Sequence, residues 1–198
     1  MGNPVLVEVL HGARVESRHA GAVAVADARG GTVLALGDVE RPVYPRSAVK
    51  ALQALPLVET GAADRYGLGP EELALACASH SGEPGHVATA TRTLALAGLD
   101  ASALQCGAHW PIHQPSAHAL ARDGGTASAL HNNCSGKHAG FLCVACALDA
   151  GRAQYLQPTE AAQGLVKATL EQVTGATLAA DDCATDGCSA PTWAMPLA

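Results

Sequence analysis

Residues 45–61 read PRSAVKALQALPLVETG, and the hydrophobic period changes inside this stretch. Val49, Leu52, Leu55 and Val58 recur at the spacing of one helix face, up to Gly61. Pro56 sits within the run, has no N–H to donate, and predicts a kink or an early end near Leu55. Upstream the period is two. Val5, Val7 and Val9 alternate with Leu6, Glu8 and Leu10, and Val23 and Val25 alternate with small residues. Val33 and Leu34 resume after Asp27-Ala28-Arg29-Gly30-Gly31, a hairpin signal with a glycine-containing loop. Residues 5–38 therefore read as local antiparallel strands. Downstream, a helix opens at Pro70-Glu71-Glu72, where proline suits the first turn and acids suit the positive end of the dipole. It stops at His80-Ser81-Gly82, and another runs from Pro84 to Gly98. Residues 105–118 read as an irregular loop, followed by helices over about Lys137–Asp149 and Thr159–Val173. Strands followed by helices in a chain of 198 residues give an α+β class and a single domain.

Composition narrows the function. Aromatic residues are only 3%, so Ala, Val and Leu must fill the interior. The formal net charge is -6 with no basic stripe, which argues against nucleic-acid binding. No apolar run approaches the roughly 20 residues of a membrane span. The start MGNPVLVEVL lacks a basic region ahead of a long apolar one, so a cytoplasmic protein with no membrane partner is expected. Seven cysteines, an odd number without a secretory signal, point to thiols, metal ligands or catalysis instead of a disulfide framework.

Three constellations can carry chemistry. In Arg46-Ser47-Ala48-Val49-Lys50 the serine and lysine lie three residues apart, a spacing that shares a helix face. A neutral lysine there can take the serine proton and make it a nucleophile; the plain alternative is an N-capping serine and a solvated lysine. Ala78-Ser79-His80-Ser81-Gly82-Glu83 offers a second hydroxyl at a helix end, or simply a polar cap. His131-Asn132-Asn133-Cys134-Ser135-Gly136-Lys137-His138 and Asp186-Gly187-Cys188-Ser189 are two cysteine-bearing turns that can hold zinc if they meet in space, or bury two inert thiols if they do not. Cys143-Val144-Ala145-Cys146 matches a CxxC pattern, yet it lies in an apolar helical run and reads as core.

The segments PVLVEVL, VESRHAGAVAV, YPRSAVKALQALPLVETGAAD, ELALACASHSGEPGHV, CGAHWP, LHNNCSGKHAGFL and DGCSAPTWAMPLA follow one another from residue 4 to residue 198. Together they resemble the bacterial-type L-asparaginase II proteins, the Rhizobium-type group among them. The resemblance implies an antiparallel sheet flanked by helices, akin to serine β-lactamases and glutaminases. It implies hydrolysis of L-asparagine to L-aspartate and ammonia, a modulatory zinc ion and a homodimer. By motif match, Ser47, Lys50 and Ser79 take the catalytic positions. Arg46, His138 and Asp186 take pocket positions, and Cys134, Lys137 and Cys188 take the zinc positions. The family's chains run longer. This chain is thus expected to be an N-terminal portion, lacking further strands and a second active-site lysine, with an exposed sheet edge. Two other readings are a catalytically silent zinc-binding domain and a penicillin-recognising serine hydrolase. The second is disfavoured by the lack of a Lys-Thr-Gly strand motif.

Overall fold

The computed structural model describes residues 2–197, and these divide into two compact units. The first holds the residues before Pro45 together with those after Trp193. In it β1 (Val5–His11) pairs antiparallel with β2 (Arg14–Ala20), and β3 (Val23–Ala26) with β4 (Thr32–Leu36). The second hairpin turns where the glycine-containing loop predicted it. Asp27 Oδ1 accepts the N–H groups of Arg29 and Gly31 at 2.8 and 2.9 Å and closes the loop. Val43 and Met195 exchange backbone hydrogen bonds of 2.9 and 3.0 Å, which ties the end of the chain to this unit.

The second unit, Pro45–Trp193, is mostly helical. Its elements are α1 (Lys50–Gln53), α2 (Leu55–Glu59), α3 (Ala62–Tyr66), α4 (Pro70–Ala76), α5 (Pro84–Leu96), α6 (Gln114–Arg122), α7 (Ser135–Ala147) and α8 (Ala161–Thr174). A short hairpin of β5 (Cys183–Thr185) and β6 (Pro191–Trp193) follows. Pro56 sits in the first turn of α2, so the period-3.6 run of residues 49–58 breaks after Gln53, as proline chemistry demands. At the end of α8, Gly175 adopts φ 71°, the left-handed C-cap that glycine tolerates best.

Helix α7 is the centre of this unit. Residues 135–145 are all buried, and α2, α3, α4, α5 and α8 pack against it. A helix apolar all round its circumference belongs inside a core. Close approach requires Gly136: a Cβ there would fall against the carbonyl oxygen of Leu75 in α4. Cys143 is fully buried and Cys146 half-buried, both as free thiols, in keeping with the core reading of that CxxC pair.

Two expectations need correction. The antiparallel strands form three separate two-stranded sheets among the described residues, not one sheet flanked by helices. The interior is filled by Ala, Leu and Val, as the composition requires, together with Cys, and this core lies in the helical unit, while Val5, Val7 and Val9 of β1 are exposed. Period-2 alternation marks a pleated strand, but it cannot say what covers either face. Residues 105–118 are not all loop. Helix α6 begins at Gln114, with Pro115 in its first turn.

Candidate functional site

Four segments of the helical unit meet around one cavity. The first runs through Arg46, Ser47 and Lys50. Arg46 has φ 55°, a left-handed conformation that costs a non-glycine residue about 1–3 kcal/mol and is found disproportionately at functional positions. The next residues form a 3-10 turn in which the Lys50 N–H donates to the Ser47 carbonyl, so the three-residue spacing does put the pair on successive turns. Ser47 is exposed on the cavity wall and makes no side-chain hydrogen bond among the described residues. Lys50 is 2% exposed. Its amine does not bond Ser47: Nζ donates to the Ala78 carbonyl at 2.9 Å and to Ser79 Oγ at 2.7 Å, with the Asn133 carbonyl farther off at 3.5 Å.

The second segment is the turn after α4. Ser79 is held on one side by Lys50, and the N–H of the next residue, His80, donates to the Asn133 carbonyl at 3.1 Å. The His80 ring is buried. Its Nδ1 accepts the Gly82 N–H at 3.1 Å, which leaves the proton on Nε2, 2.8 Å from Ser135 Oγ. Burial, and then the neighbouring His86, hold this imidazole down to about 4. Gly82 has φ 76°, and a Cβ there would meet the His131 carbonyl at 2.9 Å, so glycine is required where these loops cross.

The third segment is the turn entering α7. The Asn132 side chain clamps it: Nδ2 donates to the carbonyls of Cys106 and Gly107 at 2.8 and 3.1 Å, and Oδ1 accepts the Cys134 N–H at 2.9 Å. His109 Nε2 accepts the Asn133 N–H at 3.0 Å. Cys134 is the residue that caps α7, and Lys137 and His138 occupy the helix's first turns, both buried.

The fourth segment is the β5–β6 loop. Asp186 Oδ1 accepts the N–H groups of Cys188 and Ala190 at 2.8 and 3.0 Å, so its carboxylate shapes the loop that contains it. Lys137 Nζ lies 3.1 Å from both Asp186 Oδ2 and Cys188 Sγ. His138 Nε2 lies 3.2 Å from the same sulfur. The two cysteine-bearing turns therefore do meet. A hydrogen bond from Cys188, helped by the Lys137 charge against burial, brings the Cys134 thiol down to about 6. The same bond, together with burial, pushes Cys188 up to about 12. Burial opposes the charge on Lys137, but the surrounding Cys188, Asp186 and Cys134 outweigh it and raise its pKa.

The resulting cavity measures about 210 Å³ and is lined by Arg46, Ser47, Lys50, Lys137, Asp186 and Cys188, with Cys134 and the Asn132-Asn133 pair. That is below the roughly 300–1,000 Å³ of sites for drug-sized ligands and suits a small polar molecule. Arg46, the amines of Lys50 and Lys137, and the Asp186 carboxylate face it.

The sequence model of the L-asparaginase II family matches residues 7–198, which include every one of these groups. The chain belongs to the L-asparaginase II family. No curated protein matches it. No helix among the described residues is long and apolar enough to cross a membrane.

Of the residues singled out in the sequence, the structure gathers Arg46, Ser47, Lys50, Cys134, Lys137, Asp186 and Cys188 onto this one cavity. Ser79 stands behind Lys50 and outside the lining. His138 also stays out of the lining: it is fully buried behind Cys188. Gln53, His109, Asn132, Asn133 and Thr192 line the cavity as well, and sequence reasoning had given them no role. Gln53 lies one helical turn from Lys50, which is a readable signal. Nothing in sequence links His109 to Asn133. Among the described residues no three His, Cys, Asp or Glu side chains are grouped to hold a metal ion. A zinc site at Cys134 and Cys188 needs the Lys137 amine as its nitrogen donor. Cys134, Lys137 and Cys188 line the same cavity and offer two sulfurs and a nitrogen, donor types zinc accepts, provided the Lys137 amine gives up its proton to the metal.

Proposed function

We propose that this chain hydrolyses the side-chain amide of L-asparagine, releasing L-aspartate and ammonia by acyl transfer to serine. The observation that carries the reading is the buried amine of Lys50 held between the Ala78 carbonyl and Ser79 Oγ, beside a cavity that also exposes Ser47. A neutral amine has two N–H donors and one lone pair. The two short hydrogen bonds use both donors, while the 3.5 Å contact to Asn133 is too long to compete. The proposed role requires the lone pair of that neutral amine to accept the Ser47 proton, and Ser47 and Lys50 line the same cavity.

In this reading Ser47 gives its proton to Lys50 as its oxygen attacks the side-chain amide carbon. Lys50, held by Ser79 Oγ and itself on the cavity wall, then gives that proton to the departing nitrogen, which leaves as ammonia. Water then attacks the Ser47 ester, returns the hydroxyl and frees aspartate. Arg46 faces the α-carboxylate of the substrate and Asp186 its α-ammonium, the pairing a zwitterion demands. Cys134, Lys137 and Cys188 would hold zinc, and the ion, when bound, supplies a fixed positive charge in the cavity wall. His138 acts on the substrate only through Cys188.

The test is ammonia release from L-asparagine by the purified chain, with mass spectrometry of the quenched enzyme. Aspartyl adduct on the Ser47 peptide supports the assignment. Adduct on the Ser79 peptide exchanges the two serines' roles, and a folded chain that releases no ammonia overturns the activity.

A further inference from the structure

Tyr155 is fully buried, far along the chain from the cysteine-bearing turns, and has no place in the proposed chemistry. Its hydroxyl has two neighbours. The backbone N–H of Gln105 donates to it at 2.9 Å, and His138 Nδ1 stands 2.7 Å away. A backbone N–H can only donate, so it occupies a lone pair of the phenol oxygen. The single phenol proton then has one acceptor within reach, His138 Nδ1. That nitrogen must be bare, and the proton of the neutral ring sits on Nε2, 3.2 Å from Cys188 Sγ. The opposite tautomer would leave the phenol proton without a partner in a fully buried place, at a cost of about 1–3 kcal/mol.

We propose that Tyr155 is a positioning residue for the Cys188 sulfur: its proton fixes His138 as the Nε2–H tautomer, whose ring donates into Cys188 Sγ and aims that sulfur at the cavity. The chain of bonds runs from Gln105 N–H through the Tyr155 hydroxyl and the His138 ring to Cys188, and each member is set by the one before it. His138 is thereby removed from the candidates for metal ligand or general base, because its Nδ1 lone pair is taken by Tyr155 and its Nε2 carries hydrogen. Lys137 Nζ reaches the same sulfur at 3.1 Å and Asp186 Oδ1 stands 3.0 Å from it, so His138 is one of three side chains that fix its place. Partners of this kind, behind a ligand, typically contribute 10–100-fold to metal affinity.

The metal part of this inference rests on Cys134, Lys137 and Cys188 being the zinc ligands; the tautomer part does not. The experiment therefore has two readouts on the full chain. In the first, the ring nitrogens of His138 are observed by 15N NMR in the metal-free wild type. A single Nε2–H tautomer is expected, and an Nδ1–H ring overturns the proposal without need of any variant. In the second, zinc affinity is measured by competition with a chromophoric chelator for wild type and Tyr155→Phe, which keeps the ring and loses the hydroxyl. The expected result is a 10–100-fold weaker affinity with one zinc still bound at saturation, while Thr93→Val, which loses a buried hydroxyl elsewhere in the core, leaves affinity unchanged. Binding by Tyr155→Phe within threefold of wild type overturns the proposal. If wild type takes up no zinc, the ligand assignment falls, and the tautomer result alone decides whether Tyr155 governs His138.

Discussion

Replacing Lys50 with methionine separates the catalytic from the structural role of the buried amine. Methionine keeps much of the side-chain volume and removes the nitrogen. The amine donates to Ala78 O and Ser79 Oγ, so the variant leaves one carbonyl and one hydroxyl without their donor. A fully dry unsatisfied group costs about 1–3 kcal/mol. Ser79 is exposed and Ala78 half-buried, so water can replace the amine and the loss should fall near 1–2 kcal/mol. Against a typical domain stability of about 5–15 kcal/mol, the variant stays folded. Its catalytic loss is larger. A positioned base contributes about 10²–10⁴-fold, or roughly 3–5 kcal/mol of barrier. Lys50→Met should therefore melt only a few degrees below wild type by circular dichroism, while ammonia release falls at least a hundredfold. A folded Lys50→Met chain turning over L-asparagine within threefold of wild type would refute the role of this amine.

Further outcomes follow from the same geometry. Ser79→Ala should lower kcat by about 10²-fold with little change in KM, since Ser79 touches the base and not the cavity, and steady-state kinetics separate the two. Gly136→Ala should destabilise by about 1–3 kcal/mol in denaturant titration, because the new methyl meets the Leu75 backbone and cannot be relieved by rotating a side chain. Ser189 has φ 69° in the Asp186 loop, so Ser189→Gly should raise stability by up to about 1 kcal/mol; a lower melting temperature would contradict that strain. The His80 ring takes its proton at about 4 when folded and near 6.5 when unfolded. Its contribution is complete above pH 6.5 and is lost as pH falls toward 4, at no more than about 1.4 kcal/mol per pH unit. His80→Gln should flatten that part of a stability–pH curve, and an unchanged slope would show that the ring does not titrate this way.

How much was legible beforehand differs between elements. Pro70 and Pro84 announce helix starts because a residue without an N–H is harmless only in a first turn, and the helices begin there, whereas Pro56, which reads as a kink or an early end, also opens a new helix, α2. Pro115 carries the same signal, but the histidines and prolines around it give the segment the look of irregular chain. The candidate residues were legible as local patterns, Ser-x-x-Lys and two cysteine turns, because reactive side chains need glycines and polar neighbours close by in sequence.

The amino-acid order by itself determined the strand-to-helix change at Pro45, the helical phase that sets Ser47 one turn from Lys50, and the placement of Cys134, Lys137 and His138 around the start of one helix. These depend on backbone periodicity and on local hydrogen-bonding capacity, which act over a few residues. Only the tertiary structure decided that Lys50 reaches Ser79, 29 positions on, and that Cys188 meets Lys137, 51 positions on. It also decided that Tyr155 holds the ring behind that sulfur. Such pairings depend on how α4, α5 and α7 pack, and on buried polar groups finding the partners their burial demands, neither of which leaves a period in the sequence.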